Sequence, residues 1–193
     1  TVILVEPESS GNIGSIARSM KNFGLKKLIL VNPASSYTNG EAKSRAMHAA
    51  DLLSKAVITK NFAKTAAQFD YVIGTTAKLG SDYNIPRSTL TPEQLAAKMH
   101  NLKTNLALVF GRECKGLYNT EIKHCDFLVS IPAAKTYPVL NISHAATILF
   151  YELFKKAKVR KTTKHVTPIS AMEKKVILQR IEELLQQLPF STP

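Results

Sequence analysis

Short apolar runs alternate with stretches patterned for helix along most of this chain, and that alternation limits the fold more than any other feature. The runs fall at residues 2–5, 27–31, 71–74, 106–110 and 127–131, with a weaker one at 56–59. Between them, apolar residues recur at helical spacing over 13–23, 41–54, 62–69, 92–101 and 142–157. Parallel strands need long crossovers, usually helical, so this order predicts an α/β fold with a mainly parallel sheet flanked by helices. Local punctuation agrees. Thr91, Pro92 and Gln94 open one helix as a capping box, and Gly24 closes another as a glycine C-cap would.

After Phe154 the texture changes. Lys155, Lys156, Lys158, Arg160, Lys161 and Lys164 crowd together, and Pro168 follows. Ser170 and Glu173 then make a second capping box, and Met172, Val176, Ile177, Ile181, Leu184, Leu185 and Leu188 form an apolar stripe at helical spacing. The chain thus divides into a domain at 1–158, a basic linker at 159–168 and a C-terminal amphipathic helix within 169–193. Such a helix must dock, either on its own domain or on a partner chain. Opening at Thr1 without a methionine, the sequence reads as trimmed.

The charge balance narrows the partner. Across 193 residues, 26 Lys and Arg against 14 Asp and Glu give a net charge of +12 and a pI near 9.7. That excess favours a polyanion over the alternative of a merely soluble basic protein. No apolar run approaches the roughly 18 residues of a membrane span, and no signal-peptide pattern opens the chain, so a cytoplasmic protein with no membrane partner is expected. Cys114 and Cys125 are too few for a disulfide scaffold and lack partners at zinc spacing, so they read as reduced thiols and no metal is expected.

Ligands of parallel sheets bind where the strands end, at the carboxyl edge. Four loops there carry unusual residues. In the first, an apolar strand runs into Gly111, then a charged turn, then Gly116. The two glycines have P-loop separation, but Leu117 and Tyr118 replace the lysine and hydroxyl residue that a nucleoside triphosphate needs. The loop is read as one that lets a different ligand approach backbone. Glu113 within it has three readings: a general base, an acceptor for a ligand, or a partner of Arg112.

The second loop, 6–14, has Gly11 and Gly14 ahead of a helix, a fair anion site. A dinucleotide reading fails because the spacing is Gly-x-x-Gly and no acid ends the second strand. Arg18 sits opposite the apolar face made by Ile13, Ile16, Ala17, Met20 and Phe23, and is expected to lean back over Gly14. The third loop, Gly74 to Ala77, is small residues after a strand. The fourth runs from Ile131 through Pro132 and Pro138 to Asn141, which caps the helix at 142–157. That helix is apolar nearly all round, so burial on two sides and a subunit interface are expected.

In order, Asn12-x-Gly14-x-x-x-Arg18, then Phe110-Gly111-x-Glu113-x-x-Gly116-Leu117, then Ile131-Pro132 with Leu140-Asn141-x-Ser143-x-Ala145 resemble the three motifs of SPOUT-class RNA methyltransferases. More narrowly the sequence is similar to the TrmH/TrmJ branch, which methylates ribose 2′-hydroxyls, and the resemblance spans about residues 2–156. Glu6-Pro7 ahead of Asn12, and Tyr137-Pro138-Val139-Leu140-Asn141, look most like the TrmJ group, which acts on the first nucleotide of the tRNA anticodon loop.

The resemblance implies a C-terminal trefoil knot and a homodimer packed through the first and last helices of the domain. It also implies S-adenosyl-L-methionine as cofactor, held by Thr75, Thr76, Ala77, Gly111, Gly116, Ile131, Pro138, Val139 and Leu140, with Glu113 and Asn141 bracing the loops. Arg18, Ser143 and Asn12 are the catalytic candidates. A guanidinium is too weak an acid to serve as base, so Arg18 is read as holding a phosphate and polarising the hydroxyl, with Ser143 or a water relaying the proton. Lys78 and Arg87 around Tyr83, with the 155–164 stretch, would follow the tRNA backbone. Two alternatives stand beside this reading: a ribosomal RNA 2′-O-methyltransferase of the same class, and an RNA-binding relative without catalysis.

Overall fold

The computed structural model describes residues 1–77, 89–99, 104–157 and 169–187. Among these, β1 (Val2–Val5), β2 (Leu28–Val31), β3 (Val57–Thr59), β4 (Tyr71–Thr75), β5 (Thr89–Leu90), β6 (Leu106–Phe110) and β7 (Phe127–Val129) form one sheet in the order β3-β2-β1-β6-β4-β7-β5. Every pairing is parallel, so all strands point their carboxyl ends to the same edge. The insertion of β6 between β1 and β4 brings the loops after β1, β4, β6 and β7 beside one another there.

Strand residues alternate between two cores, as a pleated sheet covered on both faces requires. Val2, Leu4, Leu28, Leu30, Leu108 and Phe110 face α1 (Ser10–Asn22), α2 (Gly40–Ala46), α3 (Ala50–Ser54), α5 (Pro92–Met99) and α7 (Ile142–Ala157). Ile3, Val5, Val31, Val72 and Val109 face Phe62 and Ala66 of α4 (Phe62–Ala66) and Leu117, just before α6 (Asn119–Ile122). The last helix, α8 (Ala171–Gln187), follows the domain.

Several expectations are corrected. Helix α1 begins at Ser10 rather than at 13, because Ser9 caps it and accepts from the Asn12 N–H at 3.3 Å. Gly11 and Gly14 therefore lie inside the helix, not in an anion-binding loop. They are small so that α2 can press close: a Cβ on Gly11 would stand 2.6 Å from Glu41 Oε1, and one on Gly14 would meet the Ala42 backbone. Arg18 cannot lean across Gly14, since α2 fills that space. The helix expected at 41–54 is broken, because Met47 takes φ 51°, which no α-helix contains; a 3-10 turn at Met47–Ala49 precedes α3. The helix expected at 62–69 ends at Ala66, with turns continuing to Phe69. The strand expected to reach Ile131 stops at Val129, and β5 was not anticipated.

Other readings hold. Thr91 and Gln94 exchange the two bonds of a capping box, as do Ser170 and Glu173. Helix α7 has the expected bounds, and within the single chain one side of it is buried. Ile142, Ala146, Leu149 and Phe150 are buried, while His144, Ile148, Tyr151 and Lys155 lie exposed along the opposite flank. Lys78, Tyr83, Arg87, the linker at 159–168 and Leu188 lie outside the described residues.

Candidate active site

The loops after β4, β6 and β7 enclose a cleft of about 230 Å³ at the carboxyl edge. Thr75, Thr76 and Ala77 form one side, the 111–117 loop a second, and Ile131, Pro138, Val139 and Leu140 a third, with Ile142, Ala145 and Leu149 of α7 beneath. All the cofactor-binding residues expected from the sequence line this cleft except Asn141. Its chemistry is mixed. Branched apolar side chains make a wall suited to a flat heterocycle, and the turn backbone opposite offers N–H and C=O groups. Val139 lines the cleft yet is strongly exposed, leaving an apolar rim at its mouth.

The 111–117 loop is a closed turn. Arg112 N–H donates to Gly116 O at 3.2 Å and Gly116 N–H to Arg112 O at 2.9 Å. Gly116 adopts φ 65°, and a Cβ on Gly111 would overlap the Gly116 and Leu117 backbone. Both glycines are thus needed for the loop to fold onto itself, and both line the cleft.

Behind the cleft, one chain of hydrogen bonds ties the three motifs together. Glu113 accepts from the backbone N–H of Glu8 (2.8 Å) and Ser9 (3.1 Å) and from Asn12 Nδ2 (3.0 Å). Asn12 Oδ1 in turn accepts from Asn141 Nδ2 at 3.2 Å, and Asn141 Oδ1 accepts from the Ser143 N–H (2.8 Å) and hydroxyl (2.7 Å). Glu113 thus braces the loops, as the resemblance implied, and Arg112 is not among its three donors. Asn12, Asn141 and Ser143 stand behind the cleft wall, and Ser143 is buried. Arg18 is exposed on α1 and does not line the cleft of its own chain.

Sequence reasoning missed Arg112. Its guanidinium is buried, bonds Glu6 at 2.8 Å, spans both oxygens of Glu121 at 2.9 and 3.1 Å, and lies 3.9 Å from the Tyr118 ring centroid. Glu6, at φ 46°, is held below its ordinary carboxylate value chiefly by its bond to Arg112. A charged residue one glycine beyond a buried strand was the available signal. Both thiols are shifted upward: the Glu8 hydrogen bond raises the exposed Cys114, and burial, with Asp126 and Glu121, pushes Cys125 up to about 12. Among the described residues no group of three or more His, Cys, Asp or Glu is disposed to hold a metal ion, and no helix is long and apolar enough to cross a membrane.

An all-parallel sheet with a glycine-closed cleft at its carboxyl edge, backed by an Asn–Glu–Asn brace, defines an α/β ligand-binding domain of the kind the motifs suggested. The chain belongs to the SpoU rRNA Methylase family, which matches residues 1–151. It is 39% identical over 188 residues to the tRNA (cytidine-2'-O-)-methyltransferase TrmJ of Methanocaldococcus jannaschii, covering 97% of this chain and 81% of that one. Of the Pseudomonas aeruginosa TrmJ it spans 59%. The crystal structure of TrmJ from Z. mobilis superposes with a TM-score of 0.73 at 27% identity, covering all of this chain and 82% of that one. The SpoU methyltransferase AviRb from Streptomyces viridochromogenes, in complex with AdoMet, superposes with a TM-score of 0.60 at 26% identity over 80% of this chain and 59% of that one. Membership of this fold family implies the trefoil threading expected from the resemblance.

Proposed function

We propose that this protein is a tRNA 2′-O-methyltransferase that takes its methyl group from S-adenosyl-L-methionine and modifies a ribose in the anticodon loop, at its first nucleotide. The observation that carries the reading is the convergence of three sequence-distant motifs on one cleft, braced by the Glu113–Asn12–Asn141 chain. The names of the TrmJ relatives support tRNA as substrate, and the AdoMet-bound neighbour supports the cofactor.

The residues present fit that cofactor. Ile131, Leu140 and Leu149 would flank its adenine, and the backbone from Gly111 to Gly116 would take its polar groups. When bound, the cofactor supplies an activated methyl group. The protein's part is to keep the cleft in one shape, exclude water with Pro138, Val139 and Leu140, and bring a ribose oxygen into line. Arg18 would hold the neighbouring phosphate and polarise the 2′-hydroxyl, with Ser143 or a water relaying the proton.

Arg18 lies outside the cleft of its own chain, so the same reading includes a homodimer in which each subunit lends this arginine to the other. The exposed His144, Ile148 and Tyr151 flank of α7, beside α1, supports that contact. We place the protein in the cytoplasm with its tRNA. The test is mass mapping of 2′-O-methyl groups after incubation with tRNA and cofactor. A methyl at the first nucleotide of the anticodon loop is expected; none on tRNA, with methylation of ribosomal RNA in a parallel incubation or without it, would refute the proposal. Arg18→Lys should lose most turnover, because a lysine cannot grip a phosphate in two places.

A further inference from the structure

Arg18 has a cationic neighbour to which the chemistry proposed above gives no part. Helices α1 and α2 run the same way along their seam: Glu41 lies against Gly11, Ala42 and Arg45 against Gly14, and His48 and Asp51 against Lys21. A Cβ on Gly14 would stand 3.0 Å from the Arg45 Cβ. Gly11, Gly14 and Arg18 are spaced i, i+3 and i+7, so they form one ridge of α1, and Arg18 comes next along it, past Arg45. The two glycines let α2 come this close and so set one arginine beside the other.

Both arginines are exposed. The two acids of the seam are engaged elsewhere. Glu41, four residues before Arg45 on the same helix and so spaced to pair with it, instead accepts from the Ser10 hydroxyl. Asp51 takes Lys21 at 2.8 Å. Among the described residues neither Arg18 nor Arg45 has an ion pair, whereas the Arg112 guanidinium is taken up by Glu6 and Glu121. Two planar cations side by side, with no carboxylate to neutralise them, fit two oxyanions in succession, as a nucleic-acid backbone presents them.

We infer that Arg45 is a second phosphate-binding residue, holding the phosphodiester next to the one gripped by Arg18. The inference rests on the tRNA reading and extends it. Where Arg18 is lent to the cleft of the other subunit, Arg45 travels with it, because the seam fixes α1 and α2 together. The RNA strand is then held at two points beside the target ribose, which sets its direction across the mouth of the cleft. Arg45 touches backbone rather than the reacting atoms and is a positioning residue.

The test is tRNA binding by the full chain, followed by fluorescence anisotropy over a salt series, with S-adenosyl-L-methionine affinity measured in parallel. Arg45→Ala is expected to weaken tRNA binding roughly tenfold. It should also lower the slope of log affinity against log salt by about one, with cofactor affinity as in the parent. Arg45→Lys should keep the slope, since its charge remains, and recover part of the affinity. Lys64→Ala, which removes an exposed cation from α4 on the other face of the sheet, should change neither quantity. An Arg45→Ala slope equal to the parent's, a loss matched by Lys64→Ala, or a parallel loss of cofactor affinity would overturn the inference and leave the tRNA reading standing. A parent chain that binds no tRNA would overturn both.

Discussion

Replacing Arg112 by methionine tests the energetic reasoning behind the site. The substitution removes the bidentate pair with Glu121, the bond to Glu6 and the contact with Gly116 O at 3.3 Å. Glu121, with a side chain only 12% exposed, would keep just the Tyr118 N–H at 2.7 Å. Breaking a buried pair by removing one partner costs about 3–5 kcal/mol, much of it the uncompensated charge left behind. Glu6 is 39% exposed and water can reach it, so the lower end, about 3 kcal/mol, applies. At about 2–4 °C per kcal/mol for a chain of this size, Tm should fall by roughly 6–12 °C. Urea denaturation followed by circular dichroism measures the loss. Arg112→Met with Glu121→Met should recover most of it, since no charge is then stranded. A single variant within about 0.5 kcal/mol of the parent, or a double variant no better than the single, would refute the reasoning.

Two further outcomes follow from the same loop. Gly111→Ala places a methyl against the Gly116 and Leu117 backbone, so the turn must open; an overpacking cost of about 1–3 kcal/mol corresponds to roughly 5- to 160-fold loss of cofactor affinity with the far-ultraviolet spectrum unchanged. The depressed Glu6 carboxyl contributes stability that is fully present above the ordinary carboxylate value of 4.5 and is lost as pH falls through its lower folded value. Glu6→Gln should therefore flatten the acid limb of the stability curve below about pH 4.5 and leave its slope near neutrality unchanged.

Fold class and most of the cleft were legible in the sequence, because they depend on local signals. Alternating apolar runs gave the strands, Asn141 marked the start of α7, and the two capping boxes formed as written. What escaped was set by partners distant in the chain. Arg112 meets Glu6 across 106 positions, a pairing no periodicity reveals. Gly11 and Gly14 looked like a ligand loop because glycine also serves close helix packing, and only the position of α2 decides between the two. The break at Met47 carries no glycine or proline to announce it. The two-residue β5 is too short to show alternation.

The central claim is that the carboxyl-edge cleft receives the methyl donor. Calorimetric titration of S-adenosyl-L-methionine into the protein tests it most directly, beside Gly111→Val, which forces the turn apart, and Arg18→Ala, which leaves the cleft walls untouched. One site per chain is expected in the parent and in Arg18→Ala, and none in Gly111→Val. No binding to the parent, or undiminished binding with the turn forced apart, would contradict it.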